Sequence, residues 1–382
     1  MKHLLAILLI FCTLNNYNAQ VKYETSQSVR LGQTRELKIQ LPQGYRTTNA
    51  KKHPLFIVID GDYMFEAVAR NIDYYTYWEA MPKAIVVGIN QFDRHYEDCM
   101  YSEQNSLPRE TGVRFFYFAG IELIPHIEKK YKSSNFKVAF GHVETANFIN
   151  YYLLKPDPFF KGYVVISPEL APKMLDYLPE VLRKIQSKTF YYLANTNNDT
   201  ASIKQMTAAL NTDISTINNK NLLYKFNNFE KPSHYSVPTH AIPNTIESFF
   251  KIFQPISKDE YSDTILKLDG SPVKYLQEKY ETIYELFGIK KPILINDFIA
   301  ISAAIEKTEK FEYYEALGKT ASDEYPKTML GNYYLARFYE NTNNPKKAMR
   351  TYQSTFTLDE IAGLTKDLML QKADVIKADF GY

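Results

Sequence analysis

Phe136-Lys137-Val138-Ala139-Phe140-Gly141-His142-Val143-Glu144-Thr145-Ala146 is the stretch on which the fold is decided. An apolar run ends in Gly-His, and a helical pattern follows from Asn147 to Leu154. Strand, sharp turn, helix is the setting in which Gly-x-Ser-x-Gly forms a nucleophile elbow, a strained turn that lifts one side chain above a sheet. The setting is present and the serine is not. Val143 stands at the raised position, and Thr145 stands where the closing glycine belongs.

Working outward, Leu55 to Ile59, Ala84 to Ile89, Tyr163 to Ile166 and Thr189 to Leu193 are short, continuous apolar runs. Such runs mark parallel strands covered on both faces. Leu222 to Phe229 reads as the last strand. Helical patterns separate them at Met64 to Trp78, Arg114 to Tyr131 (one long amphipathic helix), Lys173 to Lys184 and Ala241 to Phe253. Ahead of them, Tyr23, Ser28 to Leu31 and Arg35 to Pro42 are strand-like, the last alternating polar and apolar as an exposed antiparallel strand does. The alternation predicts an α/β fold with a mostly parallel, doubly covered sheet.

Five further segments lie around the elbow in order: Phe56-Ile57-Val58-Ile59-Asp60-Gly61-Asp62, Ala84-Ile85-Val86-Val87-Gly88-Ile89, Glu122-Leu123-Ile124-Pro125-His126-Ile127, Tyr163-Val164-Val165-Ile166-Ser167-Pro168 and His234-Tyr235-Ser236-Val237-Pro238. In order and spacing, Pro54 to Phe250 resembles the putative esterase family, the α/β-hydrolase branch that includes esterase D and the enterochelin esterases. That family reads Gly-His-Ser-x-Gly-Gly at the elbow, so Val143, Thr145 and Ala146 depart from it.

The resemblance assigns positions. His234, followed by Tyr-Ser-Val-Pro, matches the catalytic histidine. The loop after Thr189–Leu193 is where the fold places its acid, which makes Asp199 the candidate; the same residue would also suit the cap of a helix starting near Ser202. Asp60-Gly61-Asp62 takes the place of the loop that supplies an oxyanion-hole N–H, with Gly61 permitting close approach, and Asp-Gly also signals a plain turn. The Glu144 N–H is the second oxyanion position. Arg94 through Asp98 matches a pocket-lining segment in relatives and equally suits a surface salt bridge. His142 is typical of the family beside the elbow, Asp62 ends the oxyanion loop, and Glu169 puts a carboxylate near the pocket mouth where relatives carry Ser-Pro-Ser.

The 382 residues suffice for one large domain and a smaller one, with 45% hydrophobic residues to build cores. A net charge of +2, with its lysines and arginines scattered, argues against a nucleic-acid partner. With 31 Tyr and 24 Phe against 14 Gly, the chain reads as folded and aromatic-rich. Met1 to Gln20 reads as a secretory signal peptide: Lys2 and His3, an apolar core from Leu4 to Leu14, and Asn18-Ala19-Gln20 at the cleavage region. The apolar core is too short to span a membrane. Phe11 is too large before Cys12 for a lipoprotein signal, so export to a periplasm or beyond is expected without lipidation. After cleavage only Cys99 remains, which excludes an intramolecular disulfide and suits a buried filler.

A hydrolase domain over residues 21–254 is then followed by an all-helical region over 255–382. There Leu335, Ala336, Tyr339, Ala348 and Tyr352, with Asn343-Asn344-Pro345 at a turn, resemble a tetratricopeptide unit. About 34 residues earlier, Ile301, Ser302, Ile305, Ala321 and Pro326 suggest a degenerate one that Tyr314 and Gly318 fit poorly. Such a tail serves as a stabilising cap or as a groove for a protein partner.

Valine has no nucleophilic oxygen and nothing for His234 to deprotonate. Removing triad members leaves roughly 10³- to 10⁴-fold acceleration over water in serine proteases, from the oxyanion hole and binding alone. The expectation is therefore an exported esterase homologue, non-hydrolytic or impaired, that binds a small ester-like ligand or a partner. Two rivals stand beside it. One is an active esterase using Ser102, Ser106 or Ser233, or a water activated by Asp62, Glu144 or Glu169 with His234. The other is an interaction protein working through its helical tail. The sequence shows no metal-ligand spacing, phosphate loop or dinucleotide fingerprint, so no cofactor is expected.

Overall fold

A computed structural model describes residues 21–46, 48 and 51–382. The expected signal peptide and the Cys12 question lie outside the described residues. The chain divides into two units, one running to Lys251 with Leu286–Ile289, the other made of Ile252–Glu285 and Lys290–Tyr382.

The first unit is built on an eight-stranded sheet in the order β1-β2-β4-β3-β5-β6-β7-β8. The strands are β1 (Val21–Ser28), β2 (Gln33–Gln40), β3 (His53–Val58), β4 (Ile85–Ile89), β5 (Ser133–His142), β6 (Gly162–Ile166), β7 (Thr189–Asn198) and β8 (Leu222–Ser233). β1 and β2 are antiparallel, as are β2 and β4; the other pairs are parallel. β3, β4 and β6 are buried almost throughout, which is why they read as unbroken apolar runs. The fold is the α/β-hydrolase fold.

Two local expectations are corrected. β2 is not an exposed strand: it is sandwiched between β1 and β4, and Leu37, Lys38, Ile39 and Gln40 are buried. Lys38 nonetheless reaches out, its Nζ donating to Glu66 at 2.8 Å. The segment before β5 is not one regular helix. Thr111–Tyr117 and Ile124–Tyr131 are α-helical, and Phe118–Leu123 between them is π-helical. Pro125 has no N–H for the carbonyl of Ile121, and the Tyr152 hydroxyl donates to the Phe116 carbonyl at 2.8 Å. Pro125 thus removes a regular i→i−4 bond, and a π-bulge accommodates that loss.

The second unit is helical. Helices Ile295–Thr308, Tyr314–Glu324, Leu330–Asn341, Pro345–Gln353 and Lys366–Phe380 follow one another. Gly318 and Gly331 lie where Tyr314–Glu324 meets Leu330–Asn341. A Cβ on Gly318 would meet Leu335 Cγ at 2.6 Å, so the poor repeat fit of Gly318 reflects a tight helix crossing. Met329, Ala336, Ala348, Tyr352, Met369 and Ala373 form a core. Asn343, at φ 61°, makes the turn before Pro345. No helix among the described residues is long and apolar enough to cross a membrane.

Candidate functional site: a nucleophile elbow without its nucleophile

The parallel strands end on one side of the sheet, and the loops beyond them carry the candidate residues. Open α/β sheets bind ligands in this crevice. β5 ends at His142, and Glu144–Leu153 starts at once as a helix. Val143 links them at φ 60° and ψ −116°. For a β-branched residue that is a true outlier. Backbone bonds hold it there: Val143 N donates to Ile166 O at 3.1 Å, and Val143 O accepts from Asn147 N at 3.3 Å and Glu169 N at 3.1 Å. Gly141 is required, because a Cβ there would collide with the backbone of Thr145. The strained turn of a nucleophile elbow is complete, with an isopropyl group at its apex.

Thr145, at the closing-glycine position, is fully buried. Its hydroxyl donates to Asp60 Oδ2 and accepts from His142 N at 2.8 Å. His142 N also reaches Asp60 Oδ2 at 3.1 Å. The hydroxyl absent from the apex thus reappears two residues on, tying the elbow to the end of β3.

On the opposite side of the crevice, His234 Nδ1 and Asp199 Oδ1 are 2.6 Å apart. The Asp199 side chain is fully buried, and its other oxygen accepts from Ser167 Oγ at 2.8 Å and Thr196 N at 2.9 Å. Thr200, not Asp199, caps the following helix, its side chain accepting from Ile203 N. The geometry is that of a histidine fixed by a buried acid, one ring nitrogen left over. Among the described residues no hydroxyl or thiol donates to His234. Ser102 Oγ accepts from Gln104 N, Ser106 Oγ from Lys173 N at 3.0 Å, and Ser233 Oγ bonds Ser236 Oγ at 3.0 Å.

His142 lies between the two sides. Its ring is 5.3 Å from that of His234 and its Nδ1 is 3.0 Å from the Tyr63 hydroxyl. Burial, aided by His234, pushes its pKa down to about 4 against the pull of Asp60, so the ring is neutral.

His95, which the sequence reading passed over, bridges the two carboxylates nearest the elbow. Its Nε2 is 3.1 Å from Glu144 Oε2, and its Nδ1 is 3.1 Å from Asp60 Oδ1, an ion pair lying off the ideal hydrogen-bond angle. Burial opposes the charge, but the two carboxylates outweigh it and raise the His95 pKa to about 10. The Glu144 carboxyl is lowered, first by His95, against burial and with help from its own backbone N–H. The position of His95 in the loop after β4, at the carboxyl edge of the sheet, was the available signal.

Other expectations are corrected. The Gly61 N–H donates to Ile89 O at 2.9 Å and is not free to serve as an oxyanion donor. Glycine is needed there because a Cβ would lie 2.7 Å from the Ile89 backbone. Asp62 is tied to the loop after β4: its Oδ2 accepts from Gln91 N at 2.7 Å and Phe92 N at 3.1 Å. Arg94 and Asp98 are neither a surface pair nor joint pocket lining. Asp98 is buried against Arg35, at 2.5 Å, and accepts from Gln91 Nε2 at 3.1 Å; burial pushes its pKa up to about 6 despite Arg35. Arg94 is half-buried and, among the described residues, makes no side-chain ion pair. Glu169 is exposed and touches the elbow through its backbone N–H. Cys99 is a buried free thiol whose pKa burial raises. Among the described residues no group of three or more His, Cys, Asp or Glu is placed to hold a metal ion.

The family model described as Putative esterase matches residues 28–173. Solved structures resemble the chain more broadly. An uncharacterised protein from Capnocytophaga ochracea is 29% identical, with TM-score 0.86 over 94% of this chain and 100% of that one. An IroE-like serine hydrolase from Shewanella oneidensis is 21% identical, with TM-score 0.60 over 80% of this chain and 99% of that one. The siderophore hydrolase EstA from Aspergillus nidulans is 13% identical, with TM-score 0.51 over 63% of this chain and 97% of that one. No curated protein is significantly similar to the chain. The elbow, the histidine–acid pair and the sheet order agree with the match over residues 28–173, which makes this part of the chain similar to the putative esterase family.

Proposed function

We propose that this protein is an esterase homologue that has lost hydrolysis and uses the crevice above Val143 to bind a small ligand or a partner. One observation carries the reading. The apex of an otherwise complete elbow, at φ 60°, is a valine, and no hydroxyl or thiol among the described residues takes its place opposite His234. Ser102, Ser106 and Ser233 are engaged with other groups. Likewise Asp62 is held by two backbone N–H groups and Glu144 by His95, which leaves neither poised as a general base for water. Export through residues 1–20 belongs to the same proposal, as does a protein-binding role for the helix pairs of the second unit, read as tetratricopeptide-like. The test is turnover of short p-nitrophenyl esters by wild type and by His234→Ala. Equal rates near the uncatalysed background support the reading. A wild-type rate that His234→Ala abolishes contradicts it.

A further inference from the structure

An esterase elbow offers the N–H of the residue after its nucleophile to a developing oxyanion. Here that residue is Glu144, at the first turn of its helix, with no backbone acceptor for its N–H. That N–H helps to hold its own carboxyl below the usual carboxylate range. The carboxylate is not loose: His95 Nε2 holds Oε2 at 3.1 Å, and His95 is fixed from behind by the buried Asp60. Asp60 is itself tied to Thr145 and His142 N. The chain Asp60–His95–Glu144 thus presents a carboxylate where an esterase receives a substrate oxygen. The Glu144 side chain remains 34% exposed, so a ligand can reach it. Beside it, on the His234 side, His142 is 3% exposed and its Nε2 has no hydrogen-bond partner among the described residues.

Resting on the reading of a non-hydrolytic crevice, we propose that Glu144 reverses the polarity of the oxyanion position. The site takes a ligand that presents an ammonium or other N–H donor there rather than a carbonyl oxygen, and His95 is the positioning residue that aims the carboxylate. A second anion brought to this spot meets like charge in a partly desolvated pocket, whereas a cation gains a charge-assisted hydrogen bond. The half-exposed Tyr63 ring beside His142 adds an aromatic face, which also favours a cation.

The test is calorimetric titration of the full chain with two probes of like size, benzylammonium and benzoate, near neutral pH and at low salt. Wild type should prefer benzylammonium by about tenfold or more, and Glu144→Gln, which keeps the shape and removes the charge, should erase that preference. His95→Lys, which keeps the positive charge but loses the imidazole bridge between Asp60 and Glu144, should weaken benzylammonium binding by a smaller factor. Far-UV circular dichroism of each variant confirms that it folds. Binding of neither probe, equal binding, or a preference unchanged in Glu144→Gln overturns the proposal. Fluorophosphonate labelling of Val143→Ser separates the two ideas. Failure to gain labelling counts against the intact elbow, while the probe preference still decides the role of Glu144.

Discussion

The two sides of the crevice differ in kind. On the β7–β8 side, His234 and Asp199 keep the geometry of an acid–base pair, with Asp199 further held by Ser167 and Thr196. On the β3–β5 side the backbone is that of an elbow, but Val143, Thr145 and Glu144 all carry different chemistry. The strained backbone of an active site is thus separable from the reaction it serves. Hydrogen bonds from the His142 and Val143 backbone and the Thr145 hydroxyl to Asp60, Thr145 and Ile166, with the close approach at Gly141, keep the turn whatever side chain stands at its apex.

If the elbow is held by packing and not by its apex, the largest loss should come from Gly141→Ala. The new methyl meets the Thr145 backbone, and denaturant unfolding should show a loss above about 3 kcal/mol or failure to fold. Next, Thr145→Val removes the hydroxyl that joins Asp60 to His142 N and leaves buried polar groups unsatisfied, at about 2–3 kcal/mol by the same measurement. A loss below about 0.5 kcal/mol would break the contrast between the sides. Val143→Gly should do the opposite. It relieves a positive φ on a β-branched residue and should leave stability unchanged or raise it by up to about 1 kcal/mol.

The two histidines of the elbow side divide the pH scale. His142 has its pKa depressed to about 4, so its contribution to stability is present above the unfolded value near 6.5 and is lost as pH falls toward 4. His95 has its pKa raised to about 10, so its contribution is complete below about 6.5 and is lost as pH rises toward 10. Chemical unfolding across pH should therefore show an alkaline loss that His95→Gln removes and an acid loss that it leaves in place.

Much of this was legible in the residue order. The unbroken apolar runs gave away the parallel strands, and Gly141-His142 before a helix gave away the turn. The motif around His234 and the loop order that pointed to Asp199 are met in the structure by a 2.6 Å contact between the two, while the helix cap that Asp199 could equally have made falls to Thr200. What sequence could not show are pairings between distant loops: Asp60 with Thr145, His95 with Glu144, Arg35 with Asp98. A hydrogen bond between residues 49 to 85 positions apart leaves no local pattern. Gly61 was marked as special for the right residue type and the wrong purpose. Its missing Cβ makes room for β4, and its N–H is consumed by Ile89. Burial of β2 escaped a reading based on alternation, because alternation does not reveal that another strand covers the edge.

The central claim is that the elbow backbone and the His234–Asp199 pair are intact while the apex lacks the nucleophile they would serve. The most direct measurement is the rate of labelling by a fluorophosphonate probe for wild type, Val143→Ser and Val143→Ser/His234→Ala. The account predicts no labelling of wild type, clear labelling of Val143→Ser, and its loss in the double variant. Labelling of wild type that disappears in His234→Ala, with Val143→Ser adding nothing, would show another nucleophile at work and contradict it.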